Sequence, residues 1–178
     1  MNILLVIDMQ KDFVDGALGT AEAQAVVPNV IAKIDEYRKN GGVIIATRDT
    51  HPENYLETQE GRRLPVVHCV KGTDGWQLNE AVRQALPDDA PIIDKPTFGS
   101  TELAALIGKY TAEYGEANVS AELIGLCTDI CVISNALLLK AYYPEMPIAV
   151  DSACCAGVTP ETHTAALSAM RMCQIEIR

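Results

Sequence analysis

Short runs of apolar residues alternate along the chain with longer segments in which apolar residues recur every three or four positions. The run at residues 3–7 is continuously apolar, as expected for a strand covered on both faces. Residues 174–178 instead alternate apolar and polar side chains, which is typical of an edge strand. The pattern predicts six strands, at residues 3–7, 43–47, 91–94, 121–126, 147–151 and 174–178.

The periodic segments between these runs predict helices, and capping residues mark several of their ends. An Asn-Gly-Gly sequence at 40–42 ends the first helix, Ser100 and Thr159 are N-cap residues, and Pro160 fits the first helical position. Residues 48–75 show no clear period, so we predict a long functional loop there. The helices are predicted near residues 27–37, 76–86, 101–107, 129–143 and 160–172.

Strands separated by helices indicate an α/β fold with a mostly parallel six-stranded sheet and helices on both faces, as in Rossmann-like proteins. The 178 residues contain no internal repeat, linker or low-complexity tract. A chain of this length favours one domain, which we expect to span residues 1–178.

Composition and charge exclude several classes of function. The chain has 24 acidic against 14 basic residues, which argues against a nucleic-acid-binding protein. No apolar run approaches the roughly 20 residues that span a bilayer, and the N-terminal segment lacks the cationic start of a signal peptide. We therefore expect a cytoplasmic protein without a membrane partner, in which the six cysteines are reduced thiols.

Chemically active side chains follow the predicted strands at their carboxyl ends, where ligands bind in such sheets. Asp8, Asp49 and Lys95 end the first three strands, and the fourth leads into Cys127 and Cys131 at the start of a helix. A helix N-terminus stabilises a thiolate, so Cys131 is the preferred nucleophile, with its pKa expected to be lowered. The alternatives are a capping role for Asp8, a surface position for Lys95 and a packed thiol at Cys127.

A second group of side chains has the composition of a metal site. Asp49 and His51 point to the same side of an extended segment, and His68 lies further along the same loop. A carboxylate and two imidazoles suit Zn, Fe or Mn and leave positions open for a substrate. The alternative is a hydrogen-bonded loop with solvated histidines. Glu57 is a candidate further ligand.

These residues together resemble the isochorismatase-like cysteine hydrolase family and, within it, the nicotinamidases. The resemblance is carried by short motifs that stand in the family's order over nearly the whole chain. The matching segments are DMQKDF at 8–13, RDTHP at 48–52, VHCVKGT at 67–73, KPTFGS at 95–100 and GLCTDICV at 125–132.

The resemblance implies a catalytic triad of Asp8, Lys95 and Cys131. Cys131 would attack an amide carbonyl, Asp8 would move the thiol proton to the departing ammonia, and Lys95 would favour the thiolate. It also implies a cis peptide bond at Leu126–Cys127 and an oxyanion hole formed by the backbone N–H groups of Cys127 and Cys131.

The resemblance further implies one divalent transition metal, with zinc preferred over iron or manganese, held by Asp49, His51 and His68, with Glu57 as a further ligand in some members. Phe13 would pack on the substrate ring and Phe98 would help to close the pocket. Relatives are usually dimers or tetramers, so a homo-oligomer is expected.

In one respect the chain departs from the nicotinamidase pattern. Many nicotinamidases have a tryptophan three residues before the later histidine ligand, and Pro65 stands there in this sequence. Tyr55 and Trp76 are the candidates to replace it over the pocket. The function indicated is a metal-containing nicotinamidase that acts on a small-molecule amide. The alternatives are a family amidohydrolase acting on a carbamoyl, ureido or other small amide and, more remotely, a non-catalytic binding protein.

Overall fold

Six parallel strands form the centre of the computed structural model, which describes all residues, Met1–Arg178. The predicted parallel sheet is confirmed, with the strands in the order β3-β2-β1-β4-β5-β6. The strands are β1 (Asn2–Ile7), β2 (Val43–Asp49), β3 (Ile92–Lys95), β4 (Ser120–Leu126), β5 (Ile148–Ala156) and β6 (Glu176–Ile177).

Seven helices surround this sheet, and they cover both of its faces. They are α1 (Lys11–Val14), α2 (Ala21–Lys39), α3 (Gln59–Arg63), α4 (Glu80–Ala85), α5 (Thr101–Tyr114), α6 (Ile133–Tyr142) and α7 (Pro160–Met172). Shorter turns lie at Tyr55–Glu57, Glu116–Asn118 and Thr128–Val132. None of the helices combines the length and the apolar character that crossing a bilayer requires.

The side chains of β1 alternate between two hydrophobic cores. Ile3 and Leu5 pack with residues of α5, α6 and α7 on one face, and Leu4 and Val6 pack with residues of α2 and α4 on the other. Every residue of the run at 3–7 is fully buried. The continuously apolar pattern of this strand is thus explained by its position between two layers of helices.

Several local predictions are confirmed by hydrogen bonds at the helix starts. The Ser100 hydroxyl accepts the N–H of Leu103, and Thr159 forms a reciprocal capping box with Thr162. Each bond satisfies a backbone N–H that has no partner within the helix.

Other elements differ from their predicted bounds. Strand β5 continues to Ala156, with a shift in its pairing with β4. The predicted helix at 76–86 is shorter, because Asn79 caps α4 by accepting the N–H groups of Ala81 and Val82. The predicted helix at 129–143 begins as a wide π-helical turn over Thr128–Val132, before α6. The long loop contains α3, which is too short to produce a visible period.

The strand order brings the chemically active positions together. Lys95 is paired in register with Asp49 at the ends of β3 and β2, and β1 lies beside β2 and ends just before Asp8. Ile7 is paired with Gly125, directly before the turn that carries Cys131. Four neighbouring strands therefore place the residues at, or just after, their carboxyl ends at one edge of the sheet.

Gly125 is required by the close approach of β4 to β1. Its φ is +116°, and a Cβ at this position would lie 2.1 Å from the carbonyl oxygen of Ile7. Gly41 provides a matched control, because it also has a positive φ (+68°) but a Cβ there would meet no atom within 4 Å.

We expect Gly41→Ala to cost about 1–2 kcal/mol of unfolding free energy, from the left-handed backbone alone. Gly125→Ala should cost more than about 3 kcal/mol, because the collision with Ile7 adds to the strain. Urea unfolding of the two variants measures the difference. Equal losses would show that β4 moves away from β1 without cost.

Candidate active site

Three side chains from three segments of the chain meet at the carboxyl edge of the sheet. The Lys95 Nζ lies 2.6 Å from Asp8 Oδ2 and 3.3 Å from the Cys131 sulfur. The side chains of Asp8 and Lys95 are fully buried, and Cys131 is 4% exposed. The Thr47 hydroxyl donates to Asp8 Oδ1 and accepts the Asp8 N–H, which fixes the carboxylate. The structure thus brings together the acid, the lysine and the thiol that sequence analysis singled out.

The electrostatic balance of this group differs from the sequence-based expectation at Cys131. Burial and the negative charge of Asp8 raise the pKa of the Cys131 thiol well above its usual value, and the opposing effect of Lys95 is smaller. The expected lowering by a helix N-terminus is therefore wrong for the resting site. The physical reason is that the sulfur is enclosed, and burial disfavours the charged form.

The pKa values of Asp8 and Lys95, the two groups beside the thiol, are both raised, and this suits proton transfer from the thiol to Asp8. Burial raises the pKa of the Asp8 carboxyl, although Lys95 opposes this shift. Burial alone would lower the pKa of Lys95, but the neighbouring Asp8, Cys131 and Asp49 raise it overall. These surroundings therefore favour the ammonium form of Lys95 and give Asp8 a higher proton affinity than a solvated aspartate.

The turn that carries Cys131 is held on two sides. The peptide bond Leu126–Cys127 is cis, and the Cys127 carbonyl accepts the N–H groups of Ile130 and Val132 across the wide turn. The Asp129 carboxylate accepts the N–H of Val158, before α7. Within the same turn, the Thr128 hydroxyl is hydrogen bonded to His163 on α7. These contacts join the turn to the start of α7.

A cluster of side chains that could hold a metal ion adjoins the buried lysine. The ligand atoms of Asp49, His51, His68 and Glu60 all lie within 4.8 Å of one another. Asp49 Oδ2 is 3.0 Å from His51 Nε2 and 3.9 Å from His68 Nε2, and Glu60 Oε1 is 3.6 Å from His51 Nε2. The Asp49 carboxylate also approaches Lys95 at 3.4 Å through its other oxygen. Asp49 therefore links the four-residue cluster to the group formed by Asp8, Lys95 and Cys131.

Glu57 does not belong to this cluster, and that prediction is corrected. Its side chain is exposed and accepts a hydrogen bond from Asn54. The carboxylate that reaches His51 is Glu60, which sequence analysis missed. Thr58 caps α3 by accepting the Gly61 N–H, and this places Glu60 in the first turn of the helix. The cap at Thr58 was the one sequence signal for that position.

The free nitrogen atoms of the two histidines fit a divalent cation. His68 Nδ1 lies 2.8 Å from the Val66 carbonyl, which can only accept, so Nδ1 is the donor there and Nε2 is the ring nitrogen that faces Asp49. His51 Nε2 is buried and forms no well-directed hydrogen bond, although it faces two carboxylates. Two imidazoles and two carboxylates are the ligand types that first-row transition metals bind.

Two of the aromatic residues predicted near the pocket, Phe13 and Tyr55, lie beside the histidines, and Phe98 is exposed. The Phe13 ring is 5.5 Å from the His68 ring, and Phe98 is 43% exposed in the loop after β3. Tyr55 is fully buried, with its ring 4.6 Å from the His51 ring and 5.0 Å from the His68 ring, and its hydroxyl donates to the Leu64 carbonyl. Tyr55 therefore packs against both imidazole rings.

The Trp76 side chain contacts two residues near the end of β2. Its indole N–H donates to the Thr50 hydroxyl, and the guanidinium group of Arg48 stacks on its ring at 3.6 Å. These contacts do not test whether Tyr55 or Trp76 replaces the missing tryptophan over the pocket, and that role stays a prediction. Both rings are held by contacts with residues of the predicted loop, Leu64 for Tyr55 and Arg48 and Thr50 for Trp76.

Gln10 is a further site residue that the sequence did not single out. Its buried amide donates to the carbonyls of Asp49 and Trp76 and accepts the Asp49 N–H. The neighbouring Asp12 accepts the N–H of Cys69, next to His68. These two side chains hold the backbone on both sides of the metal cluster.

Comparisons with known proteins are consistent with this arrangement. A family model described as isochorismatase domain matches residues 2–177. A nicotinamidase of Saccharomyces cerevisiae is 28% identical over 176 residues, covering 77% of this chain and 80% of the relative. The solved structure of a pyrazinamidase of Pyrococcus horikoshii in complex with zinc has a TM-score of 0.81 and 30% identity, covering 99% of this chain and 98% of the other. An N-carbamoylsarcosine amidase from Thermoplasma acidophilum shares the fold, with a TM-score of 0.77 and 24% identity over 99% of this chain and 95% of its own.

We expect Gln10→Leu to lower the unfolding free energy by about 2–4 kcal/mol, because it leaves buried backbone groups of Asp49 and Trp76 without partners. Gln84→Leu is the control, since Gln84 is exposed and bonded only to Glu80. Its effect should stay within about 0.5 kcal/mol. Urea unfolding distinguishes the two, and a similar small effect at both positions would contradict the role given to Gln10.

Proposed function

The chain belongs to the isochorismatase family of hydrolases, and on that premise we propose that it is a cysteine-dependent amidohydrolase, specifically a metal-containing nicotinamidase. It would convert nicotinamide to nicotinate and ammonia. The observation that carries the proposal is the buried contact of Lys95 with both Asp8 and the Cys131 sulfur, next to the metal-binding cluster.

The proposed reaction begins with proton transfer from Cys131 to Asp8. As the proton leaves, the sulfur attacks the amide carbonyl, and the Lys95 ammonium group at 3.3 Å balances the negative charge that develops on sulfur. The raised pKa of Asp8 makes its carboxylate a stronger base than a solvated aspartate. The backbone N–H groups of Cys127 and Cys131 are assigned to the oxyanion of the tetrahedral intermediate.

The second half of the reaction returns the enzyme to its starting state. Asp8 delivers its proton to the leaving nitrogen, which departs as ammonia and leaves a thioester on Cys131. A water molecule then attacks the thioester, with Asp8 taking one of its protons. The acid is released, and the proton returns to the sulfur. Both C–N cleavage and thioester hydrolysis therefore use the same pair of residues.

Asp49, His51, Glu60 and His68 would hold one divalent transition metal beside the thiol. When bound, the metal supplies a Lewis-acidic position for water or for a ring nitrogen of the substrate. Zinc is proposed first because a similar structure contains it, and iron and manganese suit the same ligands.

The substrate part of the proposal rests on a smaller set of contacts. Phe13 packs against His68 and offers one aromatic face, and Phe98 is exposed at the loop after β3. Position 65 carries proline in place of the aromatic ring that many nicotinamidases have there. This favours a wider range of amide substrates than nicotinamide alone. A carbamoyl or ureido amide is therefore the second candidate substrate. We further propose a cytoplasmic homo-oligomer, a dimer or a tetramer.

Cys131→Ala should lower ammonia release by at least about 10³-fold, because no other group can form the thioester. The measurement uses a panel of nicotinamide, pyrazinamide and a carbamoyl amide, with the exposed thiol variant Cys173→Ser as the matched control. Cys173→Ser should keep wild-type rates. Retained turnover in Cys131→Ala would exclude the covalent mechanism. If the wild-type protein hydrolyses only the carbamoyl amide, the proposed substrate changes from nicotinamide to a carbamoyl amide.

Glu60→Gln should weaken zinc binding by about tenfold or more, because it removes a negative ligand from the cluster. Glu57→Gln is the matched control and should bind zinc within about twofold of the wild type. His51→Ala should lose more affinity than either. Competition with a chromophoric zinc chelator measures the affinity without requiring catalysis. Equal effects of the two glutamate variants would remove Glu60 from the ligand set.

A further inference from the structure

Asn135 is a buried polar residue on α6 with no place in the mechanism above. Its side-chain N–H₂ donates to the Cys131 carbonyl at 2.8 Å and to the Phe98 carbonyl at 3.0 Å, and its oxygen accepts the Ser100 N–H at 3.0 Å. All three partners are backbone groups, and the residue is almost completely buried. One side chain thus connects the turn of the nucleophile to the loop after β3.

That loop also contacts the catalytic lysine. The Lys95 Nζ donates to the Thr97 carbonyl at 3.2 Å. This carbonyl is an uncharged partner of the ammonium group, in addition to the carboxylates of Asp8 and Asp49. The loop packs closely on α6, since a Cβ at Gly99 would lie 3.3 Å from the Ser134 carbonyl oxygen. The position of the loop therefore bears on the position of the ammonium group relative to the sulfur.

We propose that Asn135 is a positioning residue, which holds the Cys131 turn and the loop that follows Lys95 in one fixed relation so that the Lys95 Nζ stays in contact with the Cys131 Sγ. The inference rests on the proposed function for its catalytic consequence. Asn135 touches no reacting atom and acts through the backbone of Cys131, Phe98 and Ser100.

The chemistry of the side chain supports this assignment over simple packing. Asparagine is a poor helix former, and a buried amide is tolerated only when its donors and acceptor are satisfied. The neighbouring buried positions Ala136 and Leu139 on α6 are apolar, as packing alone requires. A carboxamide provides two donors and an acceptor at one point, which matches the two carbonyls and one N–H around it.

The test compares Asn135→Leu and Asn135→Ser with Thr111→Val, all in the Cys173→Ser background. Asn135→Leu has a similar size and makes none of the three bonds. A serine in a helix bonds the carbonyl four residues earlier, so Asn135→Ser keeps one link to Cys131 and loses the link to the loop. Thr111 is a buried hydroxyl on α5 that donates to the Gly108 carbonyl, so it reports the effect of losing a polar contact away from the site.

Three quantities are measured for each variant: kcat and KM for ammonia release, the rate of Cys131 alkylation by iodoacetamide at one pH, and the midpoint of urea unfolding. We expect Asn135→Leu to lower kcat at least tenfold with KM changed less than threefold, and to slow alkylation by a similar factor. Asn135→Ser should fall between Asn135→Leu and the wild type. Thr111→Val should lower stability and leave both rates within twofold.

The alkylation rate requires no substrate, so it separates this proposal from the proposed function. If the wild-type protein hydrolyses no amide of the panel, slower alkylation in Asn135→Ser still supports the positioning role. Unchanged or faster alkylation in that variant overturns it, whatever the activity. If Asn135→Leu fails to fold, Asn135→Ser decides the question. Loss of stability alone, with both rates unchanged, shows a purely structural residue.

Discussion

The ammonium group of Lys95 is buried out of contact with solvent, and the arrangement of the site depends on how its charge is balanced. Placing an unpaired ammonium ion in a protein interior costs several kcal/mol, so anions must accompany it. Asp8 at 2.6 Å and Asp49 at 3.4 Å supply them, and the Cys131 sulfur lies at 3.3 Å. Because β2 stands between β1 and β3, the strand order itself delivers these groups to the lysine. The charge therefore ties the ends of three strands to the turn that carries Cys131.

Asp49 connects the two halves of the site. One carboxylate oxygen faces Lys95, and the other lies 3.0 Å from His51 Nε2. A cation held by the histidines would compete with Lys95 for the same negative charge, so the electrostatics of the metal cluster and of the thiol are coupled. Gln10 fixes the backbone of Asp49 from the other side, and so holds this shared residue in place.

Local sequence indicated most of the secondary structure elements and the candidate reactive residues at the strand ends. The continuous apolar run at 3–7 requires burial on both faces, and caps such as Ser100 and Thr159 satisfy backbone groups within a few residues of themselves. Asp8, Lys95 and Cys131 were candidates because the carboxyl ends of parallel strands share one edge, and the family resemblance then implied that they form a triad. Such features depend on neighbours in the chain or on topology alone.

Contacts between distant segments decided the rest. Whether Glu57 or Glu60 faces the histidines depends on a single turn before α3, and the positions of the Tyr55 and Trp76 rings depend on contacts with Leu64, Thr50 and Arg48. The roles of Gln10 and Asn135 became visible only with the backbone groups that they bind, because an amide has no preferred partner in sequence. The high pKa of Cys131 has the same origin: a helix start can be read from the sequence, but the enclosure of the sulfur and the distance to Asp8 are properties of the packed structure.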